Sequence, residues 1–288
     1  MPKIISYEFN LIFKKYHPGQ SELIRSALIN SGVKNEDIVE FDEGMRIAIY
    51  VSSNKSAFSL KRTLNILPFK GIEIQVKALK KPDWEEKWKE DFKTFLITPG
   101  ICIVPYASRG EKMSGKGSKI IIDTASVFGS GLHSTTRLMA RLIYEKKGKL
   151  NSFLDIGCGT GILSIIAGKL GARSIAAIDI NRKAVATAKR NFQLNKVHPG
   201  LLKAGDIRNF AKRKRFDFVA ANIITDDLIR MKKQIVSFVS PGGILAVSGI
   251  SCIHHDRFCE EFGSNKLVLL KSIQDKEWLA FLYKKKRI

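Results

Sequence analysis

The sequence predicts an α/β protein in two parts, a small mixed module over residues 1–80 and a larger doubly wound sheet over residues 95–288. Three observations carry that prediction. From residue 150 onward strand-like and helix-like segments alternate one for one, as crossovers between parallel strands require. The buried-strand pattern at Phe153–Ile156 breaks into the alternating glycines Gly157, Gly159 and Gly161, then into the apolar helix Ile162–Leu170. The first 80 residues read instead as β-α-β-β-α-β, an order that belongs to an independent antiparallel module.

In that module Ile4–Phe13 alternates as a strand does, and Pro18–Asn30 carries Leu23, Ile24, Leu28 and Ile29 at helical spacing. Ile38–Phe41 and Met45–Val51 flank the turn Asp42-Glu43-Gly44. Phe58–Leu67 is a second amphipathic helix, and Ile72–Val76 closes the unit. The order is ferredoxin-like and leaves one sheet face for a partner. Without a catalytic constellation of its own, the module reads as a substrate-recognition domain. Residues 81–94 predict a linker helix in which Trp84, Trp88 and Phe92 fall on one face.

In the larger part, strands near Phe95–Ile97, Ile101–Pro105 and Ile120–Asp123 precede the loop Val127–Thr136 and an apolar helix. Ser134, Thr135 and Thr136 are placed to cap that helix. After the glycine turn come a strand ending at Asp179, a helix over Lys183–Asn195, a strand ending at Gly205-Asp206, and a strand over Phe216–Ala221 ending at Asn222. A helix over Ile229–Val239 closed by Pro241-Gly242-Gly243, a strand over Ile244–Ser248, a helix over His254–Phe262 and a hairpin over Lys266–Ile273 and Trp278–Tyr283 complete the pattern. Asp155, Asp179, Asp206 and Asn222 all fall at strand carboxyl ends, where open α/β sheets bind ligands.

The glycine spacing selects among nucleoside cofactors. A dinucleotide turn runs G-x-G-x-x-G and presents a helix N-terminus to a pyrophosphate. Here the run is D-x-G-x-G-x-G, and Asp155 sets a negative charge where a pyrophosphate needs a positive field. A cationic cofactor with a free amino group, S-adenosylmethionine, suits it, with Asp179 holding the ribose hydroxyls. Asn222 reads either as a cap for the next turn or as an acceptor that orients an amine. His133 reads equally as a structural or a catalytic group.

Composition sets the class of protein. At 288 residues and 44% apolar content the chain can bury one large core and one small one. It has no membrane-length apolar run, and MPKIISYEFN shows no leader pattern, so a cytoplasmic enzyme is expected. Cys102, Cys158, Cys252 and Cys259 have neither disulfide nor zinc spacing, and no metal site is expected. The net charge of +22 is concentrated beyond residue 80, with runs at Lys146–Lys149, Lys212–Arg215 and Lys284–Arg287. Those runs read either as a surface for RNA or a ribosomal particle, or as solvated loops of a lysine-rich chain.

The segments FGSGLHSTT, DIGCGTGILSIIAGKLGA and ANIITDDL, in that order, resemble the PrmA family of ribosomal-protein methyltransferases, and DWEEKWKEDF resembles that family's linker helix. The resemblance covers essentially the whole chain. It implies a Rossmann-like class I methyltransferase domain that carries methyl groups from S-adenosylmethionine to lysine side-chain and N-terminal amines of a large-subunit ribosomal protein. By motif position it implies cofactor contacts at Thr136, Gly157, Asp179 and Asn222, and a closing loop holding Phe128 and His133. Asp155, Gly159, Gly161 and Asp206 complete the expected cofactor set, with Asn222 and His133 as expected catalytic groups. The chain departs from the pattern at Ser130, at Ser134 and in the run Ile223-Ile224-Thr225-Asp226-Asp227, and the changes after Asn222 bear on the acceptor more than on the cofactor. Another protein lysine, an RNA base amine, or an inactive ribosome-associated binding protein are the alternatives; Ile223 and Ile224, in place of two prolines after Asn222, disfavour a base amine.

Overall fold

A computed structural model describes residues 6–14, 20–33, 38–41, 46–51, 54–66, 71–79, 93–110, 117–124, 129–210 and 214–287. Its contacts divide the chain into two units, Met1–Phe92 and Lys93–Ile288. Residues 81–92 of the predicted linker helix, and Phe128, lie outside the described residues.

In the first unit the alternation of Phe9, Leu11 and Phe13 puts three large apolar side chains on one face of β1 (Ser6–Phe13). They join a core with Ile24 and Leu28, one turn apart on α1 (Gln20–Asn30), and with Leu60 and Leu64 of α2 (Asn54–Ile66). Strands β2 (Ile38–Phe41), β3 (Arg46–Val51) and β4 (Ile72–Leu79) complete a sheet of order β2-β3-β1-β4. Every neighbouring pair is antiparallel, the ferredoxin-like arrangement that the element order predicts.

The second unit holds two sheets. β5 (Phe95–Thr98), β6 (Ile101–Pro105) and β7 (Ser118–Ile122) form a small one, with β5 antiparallel and β7 parallel to β6. The large sheet contains β8 (Ser152–Ile156), β9 (Ser174–Asp179), β10 (Leu201–Ala204), β11 (Phe216–Asn222), β12 (Val239–Ser251), β13 (Leu267–Asp275) and β14 (Trp278–Lys285). Its order is β10-β9-β8-β11-β12-β14-β13. The pairs from β10 to β12 are parallel, and β14 and β13 close the edge antiparallel. The chain runs outward from β8 to β10 and then returns to lay β11 on the other side of β8. That reversal opens a crevice at the carboxyl ends of β8 and β11.

The apolar helix expected after the Val127–Thr136 loop is α3 (Ser134–Tyr144), which begins within that loop, and helices α4 (Ile162–Lys169), α5 (Arg182–Leu194) and α8 (His255–Phe262) fall close to their predicted spans. The helix expected over Ile229–Val239 does not form as one piece. α6 (Thr225–Arg230) and α7 (Lys232–Ser237) meet at Met231, and Val239 already belongs to β12. Phe216 pairs with Val239 whereas Phe218 pairs with Ile244, so β12 bulges across Pro241-Gly242-Gly243 instead of beginning after it. Proline has no amide for a ladder, and a bulge is one of the few places within a strand that holds it. No helix among the described residues is long and apolar enough to cross a membrane.

Candidate active site

The glycine turn is stitched onto the tip of β9 residue by residue. The amides of Gly157 and Cys158 both donate to the Ile178 carbonyl, at 2.8 and 3.0 Å. The Gly159 amide donates to Asp179 Oδ2 at 2.8 Å, and the Asn181 amide donates to Asp179 Oδ1 at 2.8 Å. Gly161 turns back to the Cys158 carbonyl at 2.7 Å and starts α4 in the left-handed region. With these amides already partnered, the turn is not an anion cradle, which agrees with the spacing argument against a pyrophosphate. Asp179 keeps free lone pairs at the end of its strand, since each carboxylate oxygen accepts more than one bond. Its neighbour Ile180 is 76% exposed.

Asp155 is not where the sequence reading places it. Its carboxylate is buried beneath the turn, with Oδ2 accepting both the amide and the hydroxyl of Ser164, at 3.1 and 2.7 Å. It thus occupies the amino end of α4 from inside and satisfies an orphan amide of that helix. Oδ1 is enclosed without a partner among the described residues. Burial pushes the carboxyl up to about 7, against the bonds from Ser164, which pull it down. Asp206 is likewise engaged elsewhere. Oδ1 accepts the Arg208 amide at 2.8 Å and Oδ2 pairs with the Arg208 guanidinium, and these bonds push its carboxyl down to about 2.

The loop before α3 packs on the glycine turn through Thr160, whose hydroxyl donates to the Gly129 carbonyl at 2.7 Å. Its helix is capped by His133, not by the three hydroxyl residues after it. Nδ1 of His133 accepts the Thr135 amide at 3.3 Å and sits 2.8 Å from Thr135 Oγ1. The Trp278 ring packs edge-on against this imidazole at 4.9 Å. Thr136, one position on, is buried with its hydroxyl unpartnered among the described residues.

At the other wall of the crevice, Ala221 pairs with Ile156, so Asn222 stands beside Gly157 at the tips of adjacent strands. The helix that follows is capped at Ile224 with no side-chain bond, so the cap reading of Asn222 falls away. The chain here is tightly fixed. Ile223 donates to the Ser248 carbonyl at 3.2 Å, and a Cβ on Gly249 (φ +91°) would come within 2.1 Å of the Ile223 oxygen. The polar run after it is absorbed in ion pairs, Asp227 with Arg230 and Asp226 with Arg257.

Two residues that sequence reasoning missed hold these parts together. Asn191 Oδ1 accepts the Asp123 amide and its Nδ2 donates to the Asp123 carbonyl, both at 2.8 Å. Asn195 makes the same pair of bonds to Ile121, at 2.8 and 2.7 Å. One turn apart, on the last turn of α5 and at its C-cap, the two carboxamides thus replace a neighbouring strand along the edge of β7. Asn191 alone also reaches the glycine turn, donating to the Thr160 carbonyl at 3.0 Å. Their signal in the sequence is two polar residues on the same helical stripe as Ala184, Ala188 and Phe192.

The residues fit a nucleoside cofactor with an amino-acid tail. A carboxylate and an exposed apolar side chain stand together for a ribose and a base, and an orphaned buried hydroxyl and a carboxamide stand ready for polar groups. Cys158 is no nucleophile: burial pushes its thiol well up, and the carboxylates Asp155 and Asp179 add to the shift.

The family profile described as "Ribosomal protein L11 methyltransferase (PrmA)" matches residues 20–286. A ribosomal protein L11 methyltransferase of Geotalea uraniireducens is 34% identical over 216 residues, 70% of this chain and 68% of its own length. One of Ruminiclostridium cellulolyticum is 32% identical over 237 residues, 80% of this chain and 72% of its own. The crystal structure of a ribosomal protein L11 methylase from Lactobacillus delbrueckii subsp. bulgaricus superposes with a TM-score of 0.60 at 26% identity, covering 67% of this chain and 98% of that one.

Proposed function

The chain belongs to the ribosomal protein L11 methyltransferase family, and we propose that it methylates lysine side-chain and N-terminal amines of that ribosomal protein, using S-adenosylmethionine and releasing S-adenosylhomocysteine. The observation that carries the reading is the register Ala221–Ile156, which sets the carboxamide of Asn222 beside the glycine turn. A group that orients an amine and a turn that holds a nucleoside then share one crevice.

The bound cofactor supplies a methyl group on a sulfonium, whose leaving group needs no proton. The enzyme's part is alignment and desolvation. Asp179 would hold the ribose hydroxyls of the cofactor while its bond to Gly159 keeps the turn in place, and the exposed Ile180 would offer an apolar surface to the base. The Thr136 hydroxyl would hold a polar group of the amino-acid tail. Asn222 Oδ1 would accept an N–H of the substrate amine and so orient its lone pair within the crevice. That amine must arrive neutral, and withdrawal from water into the crevice lowers its pKa. His133 serves by fixing the start of α3 and with it the loop that adjoins the turn. The module over residues 1–80 recognises the substrate, residues 81–94 link it to the catalytic domain, and the reaction belongs to the cytoplasm.

The test is transfer of isotope-labelled methyl groups into purified ribosomal protein L11, followed by mass spectrometry of its lysines and N-terminus. Label appearing in another ribosomal protein or in naked RNA, and not in this one, overturns the assignment.

A further inference from the structure

The end of the large sheet opposite the crevice carries a group of cations with no carboxylate partner among the described residues. β14 runs antiparallel to β12, so its last residues return to where the parallel strands begin. There Lys284, Lys285, Lys286 and Arg287 meet Arg215, just before β11, and Lys266, just before β13. The Lys286 amide donates to the Lys266 carbonyl at 2.9 Å, which holds the two segments side by side. The charges of Arg215 and Lys266 are both felt at Lys285. A groove of about 450 Å³, lined by Val268 and residues 284–287, runs along them.

Elsewhere in the unit Arg190, Arg208, Arg230, Arg257 and Lys271 each have a carboxylate partner. Among the described residues none of the six cations at this end has one. Like charges gathered without counter-charge are a standing cost to the fold that a polyanion removes.

We infer that this end of the sheet is an RNA-binding surface, which grips phosphates while the opposite end, about 20 Å away along β11, performs the chemistry. The choice of RNA rests on the proposed ribosomal substrate. A chain of net charge +22 favours an anionic contact, and RNA is the polyanion that a ribosomal substrate brings with it. Contact with it adds attraction without touching the crevice.

The experiment uses the full chain, a fluorescein-labelled 30-nucleotide RNA of mixed sequence, and anisotropy across a salt series. Wild-type protein binds with a steep salt dependence. The triple variant K284E/K286E/R287E binds at least about tenfold more weakly, with a slope of log K against log salt shallower by roughly 2. Lys285 is left alone because its Nζ donates to the Val236 and Val239 carbonyls. Titration with S-adenosylmethionine reads the proposed activity separately: equal cofactor affinity in both proteins shows that the fold and the crevice are intact. Equal RNA affinity in the two proteins, or tighter binding of polyglutamate or of phosphatidylserine vesicles than of RNA, overturns the inference.

Discussion

Asp179 Oδ2 accepts the amide of Gly159 at 2.8 Å, so the tip of β9 and the glycine turn of β8 are one rigid piece. The same carboxylate is the ribose acceptor of the proposed mechanism, which makes turn geometry and ribose binding inseparable at this position.

Substitution of Asp179 therefore acts twice. Asp179→Ala should weaken S-adenosylmethionine binding by about 10- to 100-fold, the range for losing charge-assisted hydrogen bonds. Calorimetric titration reads it, and an unchanged dissociation constant would remove Asp179 from the site.

Asn222 should divide the kinetic constants differently. If its carboxamide orients the amine, Asn222→Ala lowers kcat by roughly 100-fold while cofactor affinity moves far less. A variant that loses cofactor affinity and keeps its single-turnover rate would instead make Asn222 part of the cofactor pocket only.

Asn191 of α5 and Asn195 at its C-cap offer an internal control. Asn191→Ala and Asn195→Ala each remove two bonds to the β7 edge and should lower stability by similar amounts, about 1–3 kcal/mol. Only Asn191 holds the Thr160 carbonyl, so only its loss should weaken cofactor binding, by roughly fivefold. Equal effects of the two variants on binding would show that strand clamping is all that Asn191 does.

Asp155 gives stability a pH dependence of definite sign. Burial pushes its carboxyl up to about 7 in the folded protein, above the ordinary 3.8, so the native state favours the protonated form. Its contribution is complete below about pH 4 and is lost as pH rises toward 7. Thermal melting of wild type against Asp155→Asn should show the variant gaining relative stability across that window and no further above it. A constant difference in Tm from pH 4 to pH 8 would mean that Asp155 stays charged throughout.

Much of this was legible in the sequence because it is local. Period-2 and period-3.6 patterns and glycine breaks gave the β8–α4–β9 unit within a residue or two, and the ferredoxin-like order of the first unit. Pro241-Gly242-Gly243 misled because the same three residues end a helix or make a bulge, and only pairing with Phe216 and Phe218 decides between them. The direction of a side chain was equally out of reach. Asp155 and Asp179 both end a strand, yet Asp155 faces inward to Ser164 while Asp179 faces the turn.

By itself, then, the sequence determined the class of fold, the glycine turn and the family, since backbone conformation near glycine and hydrophobic periodicity are properties of neighbours along the chain. Tertiary structure decided which polar groups face the crevice and which brace it. Hydrogen bonds such as Asn191 to Asp123 span 68 positions, and the cations of Arg215, Lys266 and residues 284–287 converge only when β14 runs back along β12. Contacts at that separation leave no periodic trace, and so they appear only when the sheet is assembled.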